Sequence, residues 1–91
     1  MKQYKQRQFY TRDIGYKLKA LYSYSTLVGY QFGDEVLFTT KKYSTTTSKQ
    51  CTQYTNENGL TRYNIPEDTL ATINDNIFMV ASILAKCQKG V

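Results

Sequence analysis

The chain has 91 residues, 41% of them hydrophobic and 21% charged, with a formal net charge of +5. These values describe one small globular domain, residues 1–91, with a modest core, and exclude a disordered chain. The absence of histidine removes the commonest general base and metal ligand.

The two cysteines, Cys51 and Cys87, lie far apart without CxxC spacing. The opening residues MKQYKQRQFY are charged and lack an apolar segment, so no secretory leader is expected. Both thiols are expected free in a reducing cytoplasm, and at least partly buried. The run Ile77 to Ala85 falls far short of the roughly 18–20 residues that cross a membrane. The charge is uneven. Lys2, Lys5, Arg7, Arg12, Lys17 and Lys19 face only Asp13 in the first twenty residues, and this arm holds the entire excess. Such an arm suits a negatively charged partner. It equally suits an edge strand protected from aggregation by lysine.

In chain order, residues 2–12 read as an edge strand or ordered arm, and Asp13-Ile14-Gly15 as a turn. Residues 16–32 alternate with period two. Tyr16, Leu18, Ala20, Tyr22, Tyr24, Val28, Tyr30 and Phe32 share the even face, and Leu21 and Leu27 are exceptions on the odd one. Seventeen residues exceed an ordinary strand, so a bulge or bend is expected at Ser23 to Thr26. Gly33-Asp34 suits a type II′ hairpin that pairs Tyr30 with Leu37 and sets Phe38 over Gly29. A loop one residue longer would pair Tyr30 with Val36 and Val28 with Phe38, matching the apolar faces better.

The return strand, about Glu35 to Tyr43, leads into Ser44-Thr45-Thr46-Thr47-Ser48, whose hydroxyls suit a helix start. That helix is expected from Thr46 to Asn58, with Gly59 ending it. Cys51 and Tyr54 form its thin apolar side. A connector with a short extended piece at Leu60 to Tyr63 follows. Pro66-Glu67-Asp68 then opens a long helix over 66–89, in which Leu70, Ile73, Ile77, Val80, Leu84 and Cys87 recur at steps of three and four. Asn74-Asp75-Asn76 is the one place where it could break in two. The expected fold is α+β: a three- to four-stranded antiparallel sheet, one short helix, and a long C-terminal helix packed on the sheet. The same helical stripe could instead be a dimer seam.

No catalytic, metal or cofactor constellation stands out. Cys51 lacks a base, and the acidic pairs Asp34/Glu35 and Glu67/Asp68 read as turn and helix-start chemistry. Two patterns remain. Lys2, Tyr4, Lys5, Arg7, Phe9, Tyr10, Arg12, Lys17 and Lys19, with Tyr16, interleave cations and rings, a composition suited to single-stranded nucleic acid or an acidic protein groove. Lys41, Lys42, Ser44, Thr46 and Lys49 surround a helix start and are candidate anion-binding residues. The competing reading of the second group is simple capping.

Ser23-Tyr24-Ser25-Thr26-Leu27-Val28 and Tyr43-Ser44-Thr45-Thr46-Thr47-Ser48-Lys49 resemble a group of small bacteriophage and prophage proteins of unassigned activity. These carry an SY-x-T-x-V strand and a YS-x-TTSK helix start. A histidine often follows the lysine in that pattern. Gln50 stands here, so no role of that histidine carries over. The resemblance implies a non-enzymatic protein that binds host machinery, of which inhibitors of CRISPR nucleases are one class. The expectation is therefore an anti-CRISPR-like inhibitor acting in the cytoplasm of an infected bacterial host. Its partner would be a defence nuclease or its guide complex, and it would be a monomer or a homodimer through the C-terminal helix. The alternative is a nucleic-acid-binding phage regulator or accessory protein using the basic arm.

Overall fold

The computed structural model describes residues 9–41 and 43–89. Lys2, Tyr4, Lys5, Arg7 and Lys42, named above as candidate contacts, lie outside the described residues. The order of elements is β1 (Phe9–Gly15), β2 (Leu18–Ser23), β3 (Thr26–Phe32), β4 (Glu35–Thr39), α1 (Thr45–Glu57), β5 (Thr61–Ile65), α2 (Glu67–Ile73) and α3 (Ile77–Lys89).

The class is α+β, but the sheet has five strands and is mixed, in the order β1-β2-β3-β4-β5. Strands β1 to β4 are antiparallel neighbours, whereas β5 runs parallel to β4 after a crossover through α1. The expectation of an all-antiparallel sheet of three or four strands is corrected on both counts. The short piece after Gly59 is a full edge strand, and the bend expected at Ser23 to Thr26 is a complete reversal at Tyr24-Ser25.

Successive residues of a strand point to opposite faces, and both faces are covered. Leu18, Ala20, Tyr30 and Leu37 pack with Leu70, Ile73, Val80 and Leu84 of α2 and α3. Phe9, Leu21, Val28, Val36 and Phe38 pack with Cys51 and Tyr54 of α1. Leu21, an exception on the odd face, is thus a core residue, because α1 covers that face of β2, while Leu27 packs partly buried on the α2/α3 side.

The turn chemistry decides the β3–β4 register: Tyr30 pairs with Leu37 and Gly29 with Phe38. A bulge in β3 removes the apparent mismatch. Leu21 pairs with Gly29 and Tyr22 with Leu27, so Val28 is an extra residue and swings to the α1 face. A Cβ on Gly29 would run into the Leu37 carbonyl oxygen and lie 2.7 Å from Phe38 Cδ1. Glycine is the residue that allows this close approach. The turn expected at Asp13-Ile14-Gly15 is another bulge, with Asp13 opposite Lys19 and Gly15 opposite Leu18. Asp13 Oδ1 accepts from Gly15 N–H at 3.1 Å, so the local chemistry was real while the reversal comes later, at Tyr16-Lys17.

Ser44 caps α1, its Oγ accepting from Thr47 N–H, and Gly59 follows the helix at φ 62°. The single long helix over 66–89 is overturned. Asn74 and Asp75 adopt φ 46° and 63°, which end α2, and Asn76 Oδ1 accepts from Phe78 N–H to restart α3. Asn and Asp tolerate this left-handed backbone better than other side chains. The stripe Leu70, Ile73, Val80 and Leu84 is core, with Ile77 and Cys87 packed against it, so it covers the sheet.

Candidate functional site

The basic, aromatic arm is divided by the period of the strand. Phe9 is 3% exposed, with its ring centroid 5.4 Å from that of Tyr54. It belongs to the core rather than to a contact surface. Tyr10, on the other face, stacks on Tyr22 with centroids 5.2 Å apart and planes 8° apart, and remains half-exposed. Arg12 is committed within the molecule: its Nη2 donates to Asp75 Oδ2 at 2.7 Å and to the Tyr22 hydroxyl at 3.3 Å. That bond raises the arginine pKa and holds the Asp75 carboxyl below the usual carboxylate range. Lys17 is exposed in the β1–β2 turn. Lys19 is half-buried opposite Asp13 and Gln31, on the strand face that α1 covers. The described members of the arm therefore do not form one basic stripe.

The turns add two exposed tyrosines. Tyr16, at φ 51°, is 87% exposed. Tyr24, at φ 61°, is 52% exposed. Left-handed backbone costs a side-chain-bearing residue about 1–2 kcal/mol, and two-residue turns ordinarily place Gly or Asn there. Each hairpin instead presents a tyrosine to solvent, one at each end of β2. The alternation of residues 16–32 hid this, because it counted both rings as inward.

The candidate anion residues are not brought together. Ser44 is spent as the cap, Thr46 and Lys49 are exposed, and Lys41 pairs with Glu67 at 3.3 Å and lies 5.1 Å over the Tyr43 ring. Thr47, alone of residues 44–48, is buried. Ser44 Oγ donates to Thr47 Oγ1 at 3.2 Å, Thr47 and Ser23 hydroxyls meet at 3.0 Å, and Ser23 donates to Gln50 Oε1 at 2.7 Å. One proton per hydroxyl makes this a directed relay, Ser44 to Thr47 to Ser23 to Gln50. It ties the β2–β3 turn to the start of α1.

Residue Arg62, which the sequence reading left in a connector, lies on β5 with its guanidinium carbon 4.7 Å from the Phe38 ring centroid. Its Nε donates to Asn64 Oδ1 at 3.0 Å. Both line a hollow of about 290 Å³ with Thr39, Thr40, Lys41 and Ser48. Burial pushes the nearby Cys51 thiol up to about 11, with Arg62 pulling it back, so it is a poor nucleophile at neutral pH. Among the described residues no three of His, Cys, Asp or Glu are grouped as metal ligands would be, and no helix is long and apolar enough to cross a membrane.

A protein-family model matches residues 2–72 of the chain. The chain belongs to the DUF8033 family, a family of unknown function. The DUF8033 match takes in all five strands, α1 and nearly all of α2, and stops before α3. No curated protein and no solved structure matches the chain.

Proposed function

We propose that this protein is a non-catalytic, phage- or mobile-element-encoded binding protein that inhibits a host defence nuclease in the bacterial cytoplasm. Its contact surface is the β1 edge and the β1–β2 turn: Tyr10, Tyr16 and Lys17. The observation that carries the binding reading is Tyr16, 87% exposed at a position where the backbone favours glycine. A large ring held in solvent at a conformational cost is a natural anchor for a protein partner. The nuclease-inhibitor part rests on the resemblance of Ser23–Val28 and Tyr43–Lys49 to small phage proteins.

The test is a pull-down from bacterial lysate combined with a plasmid-interference assay against a panel of Cas nucleases. The variant Tyr16→Gly suits the turn conformation and keeps the fold. Capture of a nuclease by the wild type, lost with Tyr16→Gly, supports the proposal. Unimpaired interference across the panel would sink it.

A second reading has its own observation. The open face of the Tyr10–Tyr22 stack is a surface on which a base could lie. Binding to a single-stranded oligonucleotide that weakens steeply with salt, and falls with Tyr10→Ser, would favour that reading.

A further inference from the structure

The hollow beside β5 is a second site, at the opposite edge of the sheet from β1. We propose that it binds a phosphate monoester, free or carried by a small metabolite, through the Arg62 guanidinium.

Its position follows from topology. Strands β4 and β5 are the parallel pair of the sheet, and the hollow lies at their carboxyl ends, where the chain leaves β4 for α1. Thr39 and Thr40 come from the end of β4, Asn64 from β5, and Ser48 from the first turn of α1. What α1 brings to the hollow is the Ser48 hydroxyl and the positive end of its dipole, since Ser48 N–H donates to the Ser44 carbonyl at 3.1 Å and Thr47 N–H to the Ser44 cap.

The second and independent observation is the state of Arg62. It is half-buried, and among the described residues no carboxylate lies within ion-pair distance of it. The Phe38 ring supports one face of the guanidinium, and Asn64 takes its Nε proton. The two terminal nitrogens are left as a fork, the geometry that pairs with two oxygens of a phosphate. The nearby Cys51, pushed up by burial to about 11, is a neutral thiol and supplies no counter-charge. Lys41 is a second cation at the rim. Its pair with Glu67 is exposed on both sides, so it holds the ammonium only weakly and a bound anion can compete for it. Ser48 and Thr40 add hydroxyl donors. The ring beside Arg62 is fully buried, which leaves no stacking platform in the hollow and favours a small phosphorylated ligand over a nucleic-acid strand.

Calorimetric titration of the full chain tests this, first with inorganic phosphate against sodium chloride at matched ionic strength. AMP and ribose 5-phosphate follow, to tell free phosphate from a phosphorylated metabolite. Saturable binding is expected for at least one phosphate probe and not for chloride. Arg62→Gln should weaken it roughly ten- to hundredfold, and Lys86→Gln, on α3, should leave it unchanged. Should Arg62→Gln fail to fold, Asn64→Asp decides the matter, because it places a carboxylate beside Arg62 and should abolish binding while keeping the strand. Equal heats from phosphate and chloride, or unchanged affinity in Asn64→Asp, would overturn the proposal.

Discussion

Tyr30 and Asp75 exchange two hydrogen bonds. The Tyr30 hydroxyl donates to Asp75 Oδ1 at 2.9 Å and accepts from Asp75 N–H at 3.0 Å. Tyr30 rises from the centre of the sheet and is 1% exposed, while Asp75 occupies the left-handed break between α2 and α3. Arg12 from the edge strand adds its ion pair to the same carboxylate. One side chain therefore ties the sheet edge, the sheet centre and the helical layer together, and holds a backbone conformation that residue 75 would otherwise leave.

Removing the hydroxyl alone tests that tie. Tyr30→Phe keeps the ring in the core and takes away both bonds to residue 75. The expected loss is about 1–2 kcal/mol, since the Asp75 amide loses its acceptor in a part-buried site. Urea unfolding at neutral pH measures it. A midpoint equal to that of the wild type would mean that local preference alone sets the helix break.

The same carboxylate gives an acid limb. Asp75 is held below the usual carboxylate value, chiefly by the Arg12 hydrogen bond and further by Tyr30. A depressed folded pKa contributes stability above the unfolded value, about 3.9, and that stability is lost as pH falls through the folded value. Burial pushes Tyr30 up to about 12. Its contribution is complete below the unfolded value, about 10, and is lost as pH rises through 12. Thermal unfolding across pH should therefore show losses below about pH 4 and above about pH 10. Asp75→Asn should flatten the acid limb. An identical acid limb in that variant would assign it to other carboxylates.

Much of the fold was legible where local chemistry and tertiary packing agree. Ser44 set its cap and Asn58-Gly59 its helix end, whereas at Gly33-Asp34 the turn chemistry and the apolar faces favoured different registers and the sequence left both open. What escaped the sequence lay where a residue answers to a distant partner. The stripe from Leu70 to Cys87 satisfies a continuous helix as well as a broken one, and at the break Asp75 bonds to Tyr30, 45 positions away. Residues 16–32 satisfy a single long strand, because Leu21 looks like an error until a second helical layer covers the other face, and Leu27 until the bulge at Val28 returns it to the side of Tyr22. β5 was hard to see because Arg62 and Asn64 interrupt its apolar pattern, and these two residues line the hollow at the sheet edge. The basic arm read as one surface because charge was counted along the chain. A strand sends neighbours to opposite faces, so Phe9 goes into the core while Tyr10 stays in solvent.

Gly29 is a position where a single methyl group should be felt strongly. It pairs with Phe38 next to the Val28 bulge, and an added Cβ meets the Leu37 carbonyl and the Phe38 ring, neither of which has room to retreat. Gly29→Ala should destabilise the protein by about 1–3 kcal/mol, the usual range for overpacking. Gly33→Ala makes a useful comparison: its Cβ would meet nothing, and its cost comes from φ 62° alone. Equal and small effects at both positions would show that β3 and β4 can separate locally to admit the methyl group.

The relay from Ser44 through Thr47 and Ser23 to Gln50 makes a prediction about where stability is lost as well as how much. Ser23, Thr47 and Gln50 are 3%, 7% and 3% exposed, so their bonds form largely away from water. Ser23→Ala removes the donor to Gln50 Oε1 and the acceptor for Thr47, at an expected cost of about 1–3 kcal/mol. The same relay holds the first turn of α1, because Thr47 N–H is bound by Ser44 and Ser44 is aligned by Thr47 Oγ1. Amide exchange at Thr47 and Ser48 should therefore accelerate in Ser23→Ala more than exchange in β1 and β2. A double-mutant cycle with Thr47→Val isolates the shared bond. Coupling of about 0.5 kcal/mol or more marks a direct link between turn and helix. Additive losses, with exchange raised evenly across the sheet, would mean that the two hydroxyls only fill space, and that the helix start is held by its cap alone.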